Sequence, residues 1–283
     1  MKTVIPRESS AADPILCAHL LSKVDERLID LLSCLTPSEW DLQTIAPLWK
    51  VRDVAAHLLD TALRKLSMVR DSCYVEAMNI QSPEELMVNR LNREGVGVYR
   101  RLSPKILIDL MKQACEQSAR FHESLDPFAP AVFAVSWAGE QTSLNWFDTA
   151  RELTERWHHQ QQIRLATNRP GITTRDLYHP VLDCFVRGLP HVYRDVRAPV
   201  GTLLLLEISG ECGGQWCLRK GSTAWYLAKG SGGEWVSSVT IPEELAWRIF
   251  TKGIDRTAAR EQIEVKGNRD VGEKVLELTA IVG

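Results

Sequence analysis

The sequence predicts two domains of different class: a mainly α, up-down helical bundle over residues 1–196, then a small α+β domain with an antiparallel sheet over 201–283. Three observations carry this reading. Apolar residues recur at helical spacing through the first two-thirds of the chain. At "VRAPVG" (196–201) the texture changes to short apolar or alternating runs separated by glycines, the mark of strands. The length of 283 residues suits one large or two medium domains.

The bundle is built from four main helices plus extras. Asp13-Pro14 opens an amphipathic stretch reaching Leu35, with proline in the first turn, where its missing N–H costs nothing. In "KVRDVAAHLLDTALRKLSMVRD" the apolar positions Val51, Val54, Ala55, Leu58, Leu59, Ala62 and Leu66 follow the helical period. "SPEEL" (82–86) and "SPKIL" (103–107) each set serine before proline, a helix-start signature for helices running to about residues 100 and 125. Residues 126–143 hold prolines and a glycine and read as an irregular loop. A helix resumes near Leu144, and "TTRDLYHPVLDCFVRGLPHVYRDV" adds another, interrupted near Gly188-Leu189-Pro190. Helices joined by short links imply a bundle.

In the second domain "TLLLLEIS", "QWCLRKG", "TAWYLAKG" and "EWVSSVTI" read as four strands of a meander. "PEELAWRIFTKG" reads as a helix with glycine just past its end, and "EKVLELTAIVG" as a closing helix.

Composition excludes several classes. The chain is 45% hydrophobic and 25% charged with a formal net charge of −2, so it carries no basic footprint for nucleic acid. It has no run of about 18 apolar residues to cross a membrane. The start "MKTVIPRESSAADP" lacks the apolar core of a signal peptide, so a cytoplasmic protein, monomer or homodimer, is expected. Seven scattered cysteines without a CxxC pair read as core residues, and Cys212 and Cys217 flank a hairpin-like "GGQW".

The densest polar stretch is "ERWHHQQQIR" (155–164). On a helical wheel Trp146, Ala150, Leu153 and Trp157 share one face; Asp148, Glu152, Glu155, His159 and Gln162 share the opposite one, and His158 projects elsewhere. Glu155 and His159 stand one turn apart, so both reach one point. His57 lies off the centre of its helix's apolar face. If the two faces meet, two imidazoles and one carboxylate make a set suited to zinc with an open position, and nickel or iron accept the same ligand types. A Glu-x-x-x-His pair is also common by chance, and such a stripe also reads as a solvated face.

"WKVRDVAAHLLD" (49–60) resembles the Trp-x-Val-x-Asp-x-x-x-His signature of DinB-like metal-binding bundles. "ERWHHQQQIRLAT" (155–167) resembles the Glu-x-x-x-His-Gln-x-x-Ile-Arg-x-Ala segment of the mycothiol-dependent maleylpyruvate isomerase family, and "VTIPEELAWRIFTKG" (239–253) resembles the sterol-carrier-like C-terminal domain attached to that bundle. The resemblance implies a DinB-like bundle whose divalent metal, most often Zn2+, is held by His57, Glu155 and His159. It also implies a low-molecular-weight thiol of the mycothiol, bacillithiol or glutathione type as co-substrate. The implied activity is isomerisation or S-transfer on a small electrophile. Many relatives carry aspartate three residues after the last histidine, where this chain has Gln162. The family isomerase also uses a basic residue of its C-terminal domain, for which Arg219 and Arg248 are unaligned candidates.

Gln161 and Gln162 are placed to orient the ligands or bind substrate, and equally to decorate a helix surface. Arg164 is placed to hold a substrate carboxylate or, more commonly for a helix arginine, to pair with an acid. Asn89 and Asn92, one turn apart, either reach the cleft or lie on a helix surface. No acid–base residue is assigned. Two other functions stay open: a non-catalytic metal-bound binding or regulatory protein, and a Lewis-acid metalloenzyme of specialised biosynthesis that uses no thiol.

Overall fold

The computed structural model describes residues 12–73, 84–229 and 233–280, and these form two compact units. The first is helical and comprises Leu16–Val135 and Gln141–Val181. The second comprises Leu182–Ala280 with Ser136–Glu140 and, among the described residues before Leu16, 12–15.

In the helical unit α1 (Leu21–Ser33), α2 (Val51–Lys65), α4 (Pro104–Ser124) and α5 (Asn145–Ala166) close a ring in the order α2–α4–α1–α5, and α3 (Glu84–Tyr99) packs outside against α2. This is a four-helix bundle with one added helix. Its core is Leu28, Leu32, Val51, Val54, Leu59, Leu107, Met111 and their neighbours, all buried. Local sequence explains the helix ends. The Ser103 side chain accepts a hydrogen bond from the Ile106 N–H, with Pro104 in the first turn. The matching Ser82-Pro83 signal lies outside the described residues. Asp53 accepts a hydrogen bond from the Lys50 N–H at 3.0 Å, which ties down the start of α2. Helix α2 ends in a π-helical turn, Leu66–Arg70.

The second unit carries a five-stranded sheet of order β3-β2-β1-β4-β5, made of β1 (Leu203–Ser209), β2 (Gly214–Lys220), β3 (Trp225–Ala228), β4 (Trp235–Pro242) and β5 (Glu264–Gly267). Three pairings are antiparallel, with Leu205 opposite Cys217 in the β1–β2 hairpin. The β1–β4 pairing is parallel, with Leu206 beside Val239. The sheet is therefore mixed, where the sequence pattern suggested a simple meander: β4 passes the hairpin partner and settles on the free edge of β1. Strand β5, whose "EVKG" has no apolar alternation, was not foreseen. Helix α8 (Glu243–Phe250) falls where expected and is followed by the short α9 (Arg256–Arg260) and α10 (Arg269–Glu273). The expected closing helix is only a 3-10 turn, Lys274–Glu277, among the described residues. All seven cysteines are free, five of them buried.

The packing boundary falls inside α6 (Arg175–Val186), after Val181, rather than at 196–201. The reason is where the apolar side chains go. Phe185 of α6 meets Phe250 edge-on, and Tyr193, just after α7 (Leu189–Val192), meets Trp225 and donates its hydroxyl to the Val271 carbonyl at 2.7 Å. Helical texture alone does not say which core a helix feeds. Among the described residues no helix is long and apolar enough to cross a membrane.

Candidate metal centre

Helix α5 explains the polar run of the sequence. Its stripe of charged and amide side chains is buried, not solvated: Asp148, Arg156, His158, His159, Gln160, Gln161 and Gln162 all lie inside. A buried polar group needs a partner, because leaving it without one costs about 1–3 kcal/mol. The partners come from distant parts of the chain. Gln160 donates to the Val24 carbonyl at 2.9 Å, and Gln161 to the Gly171 carbonyl at 2.8 Å. Trp157 donates its indole N–H to the Ile172 carbonyl at 2.8 Å while stacking flat on Tyr178. His158, expected to project elsewhere, is buried with its ring 3.9 Å from that of His159, and its Nδ1–H donates to the Thr154 carbonyl at 2.8 Å.

Facing this stripe, α2 presents His57. The packing of α2 on α5 brings the two imidazoles to 4.7 Å between ring centres. One ligand atom from each of His57, Glu155 and His159 lies within 4.8 Å of the other two. His159 Nε2 stands 3.5 Å from Glu155 Oε2. Ligand atoms about 2.0–2.2 Å from one zinc ion lie at most about 4.4 Å apart, so the spacing of the set is close to that of a zinc site. The residues fit a cation on a further count: His57 Nδ1 is buried without a hydrogen-bond partner. An imidazole nitrogen left bare in the interior is costly in a closed core and useful as a ligand.

Electrostatics sets the charge states. Burial, with the neighbouring His159, holds His57 well below the ordinary histidine range, so it is neutral at pH 7. Burial also pushes Glu155 up, but the facing imidazole of His159 and the surrounding histidines outweigh it and hold the carboxyl at about 2. The carboxylate is 28% exposed, the most open of the three groups.

The Trp-Val-Asp-His pattern of α2 acquires a role position by position. Trp49 packs on His57 at 4.6 Å and on His159 at 5.7 Å. It is held there by the preceding loop, in which Thr44 Oγ1 and Gln43 Nε2 both donate to the Trp49 carbonyl, at 2.7 and 2.9 Å. Val51 is fully buried, Asp53 fixes the helix start, and His57 follows one turn later.

Of the other expected residues, Gln162 touches the cluster: its Oε1 lies 2.9 Å from His159 Nδ1. Arg164 does not. Its guanidinium takes Gln160 Oε1 and the carbonyls of Arg27, Arg169 and Pro170, in place of the acid expected for it, and so pins the turn after α5. Asn89 is half-buried on α3 and makes no hydrogen bond to the three among the described residues. Asn92 accepts a hydrogen bond from Arg64, which Asp60 also holds. In the second unit, Arg219 on β2 and Arg248 on α8 are half-buried, each with an Nε that lacks a hydrogen-bond partner.

A second polar cluster lies further along the α2–α5 contact. Lys65 Nζ is 2.6 Å from Asp148 and 3.3 Å from Glu152, and Arg151 reaches both acids. Two cations and two anions balance. Burial raises Glu152, but Lys65 and Arg151 hold it at about 2. Nearby His122, 3.1 Å from the Thr149 hydroxyl, is pushed down to about 4 by burial. The sequence pattern placed Asp148 and Glu152 on the polar face of α5, but nothing in it signalled that Lys65 and His122, from two other helices, would join them.

The mycothiol maleylpyruvate isomerase N-terminal domain family model matches residues 21–164, about half of the chain. The chain belongs to this family. No curated protein sequence matches it. Two solved structures share the fold of this isomerase-family chain. A crystal structure of a histidine-to-alanine mutant of the mycothiol-dependent maleylpyruvate isomerase aligns with a TM-score of 0.53 and 13% identity, covering 90% of this chain and 93% of that one. A crystal structure of the mycothiol-dependent maleylpyruvate isomerase aligns with a TM-score of 0.51 and 14% identity, covering 84% and 88%. At these identities the likeness is one of fold. The family match ends at Arg164 and so takes in α2 and nearly all of α5, the two helices that carry the His57, Glu155 and His159 cluster.

Proposed function

We propose that this family member is a metal-dependent enzyme that uses a low-molecular-weight thiol of the mycothiol type to isomerise, or transfer sulfur to, a small electrophile. His57, Glu155 and His159 are the metal ligands in this reading. The observation that carries it is the convergence of two imidazoles and one carboxylate, with a bare buried His57 nitrogen, inside a family named for a thiol-dependent isomerase. The sterol-carrier-like description of 201–283 rests on the sequence resemblance.

The chain's own residues prepare the site. His57 stays neutral through burial, so its lone pair is available without deprotonation at pH 7. Glu155 stays ionised and supplies the single negative charge of the set. Trp49 covers one side of both imidazoles and excludes water there, which strengthens electrostatic attraction within the site. The exposed edge of Glu155 marks the side open to a guest. A divalent cation held by His57, Glu155 and His159 would supply Lewis acidity, which would lower the pKa of a thiol that is ordinarily protonated at neutral pH.

Purified protein should contain one equivalent of divalent metal, lost in His57→Ala and His159→Ala with the fold retained by circular dichroism. Mycothiol added to cobalt-loaded protein should produce a sulfur-to-cobalt charge-transfer band. Metal-free wild-type protein that takes up no zinc, cobalt or nickel would sink the metal reading. Metal uptake with no band for mycothiol, bacillithiol or glutathione would sink the thiol reading.

A further inference from the structure

Gln162 stands one turn beyond His159 on α5, where i and i+3 side chains meet. It is 94% buried, at 6% exposure, and its Oε1 is 2.9 Å from His159 Nδ1. An amide oxygen only accepts, so in this arrangement Nδ1 must carry the proton. The lone pair of His159 then sits on Nε2, the atom 3.5 Å from Glu155 Oε2 and turned into the cluster. The ring has little other freedom: Trp49, His57 and His158 all pack around it.

The choice of an amide matters as much as its position. Two neutral imidazoles and one carboxylate leave a divalent cation with a net charge of about +1, which one incoming thiolate would cancel. A carboxylate at residue 162 would accept the same Nδ1–H but add another negative charge. It would make the imidazole a stronger donor and the site less attractive to an anion.

We infer that Gln162 is a positioning residue that locks His159 in the Nδ1–H tautomer, aims Nε2 at the cation, and keeps the site one charge more positive than an acid there would. This rests on the metal-site reading above, and the test separates the two. The first measurement needs no metal: long-range 1H–15N correlation spectra of metal-free protein, with His159 assigned by comparison with His159→Asn. The wild type should show protonated Nδ1 and bare Nε2, and Gln162→Leu should lose that preference. The second is zinc affinity by competition with a chromophoric chelator. Gln162→Leu should bind about 10–100-fold more weakly than wild type, and Gln162→Glu, which keeps the acceptor, at least as tightly as wild type. Mycothiol affinity of the zinc-loaded proteins should move the other way in Gln162→Glu, becoming weaker.

An Nε2–H tautomer in the wild type would overturn the inference, as would wild-type tautomer and zinc affinity in Gln162→Leu. If Gln162→Leu does not fold, the wild-type spectrum and the Gln162→Glu comparison decide. A wild type with the Nδ1–H tautomer that binds no zinc would leave the tautomer lock standing and remove the metal reading instead.

Discussion

Replacing Arg156 with methionine tests how the buried polar side of α5 is held. The Arg156 guanidinium donates to Asp25 Oδ2 at 2.9 Å and to the Ser118 hydroxyl at 2.7 Å, and arginine and aspartate are each about 95% buried. At that separation the gross attraction is about 6 kcal/mol for an effective dielectric of about 20, and desolvation of both groups cancels much of it. Removal of one partner is different, because it strands the other. Asp25 is already raised by burial, with Arg156 the main force holding it down. Losing the arginine should cost about 3–5 kcal/mol at pH 7, or roughly 6–20 °C in melting temperature for a unit of this size. The sign of the pH dependence follows. Without Arg156 the Asp25 pKa rises further, so the folded variant favours the protonated acid. Its deficit relative to wild type should shrink as the pH falls towards the raised pKa and grow again as the pH rises. Removing both charges, in Arg156→Met with Asp25→Leu, should recover most of the loss. Urea denaturation at pH 5 and pH 8, followed by circular dichroism, measures all of this. A single variant within 1 kcal/mol of wild type, or a double variant no more stable than the single, would refute the argument.

Two further outcomes follow from the same interior. His122 is buried and depressed to about 4, so the unfolded chain binds its proton more readily below about pH 6.5. Its contribution to stability is present above that pH and is lost as the pH falls from 6.5 towards 4, while that of Glu152 is lost from about 4.5 towards 2. Replacing His122 with glutamine should reduce the slope of the stability profile between pH 6.5 and 4, to which buried His57 and His158 also contribute, and leave the lower limb intact; an unchanged upper limb would contradict the assignment. Gly95→Ala on α3 would ordinarily gain up to about 1 kcal/mol in helix propensity. Here the new Cβ would sit 2.2 Å from the Asp60 carboxyl carbon, so the variant should instead be destabilised by displacing the Asp60–Arg64 pair, and a raised melting temperature would show that α3 gives way freely.

The bundle was readable because its signals are local. The apolar repeat of α2 and the Ser103-Pro104 start depend on neighbours a few residues away. The spacing of Glu155 and His159 was equally local. Their meeting with His57 was not, since nothing in either helix states which faces touch, and the family resemblance supplied that link. What escaped was set by distant partners. Gln160 and Gln161 are buried because carbonyls of Val24 and Gly171 await them, and composition alone marks such glutamines as surface residues. The parallel pairing of β1 with β4 depends on which sheet edge remains free after the hairpins form, and the short, charged β5 is a strand only because β4 offers it an edge.

Helix α5 has almost no side given over to solvent. Its apolar residues serve the core and its polar residues serve particular acceptors, so neighbouring positions are tied to different parts of the chain. Mutational tolerance should therefore be lowest here. A lineage changing the reaction would find little room to drift within this helix and more in the loops and outer helix around it, so new specificities would arise around a nearly fixed centre.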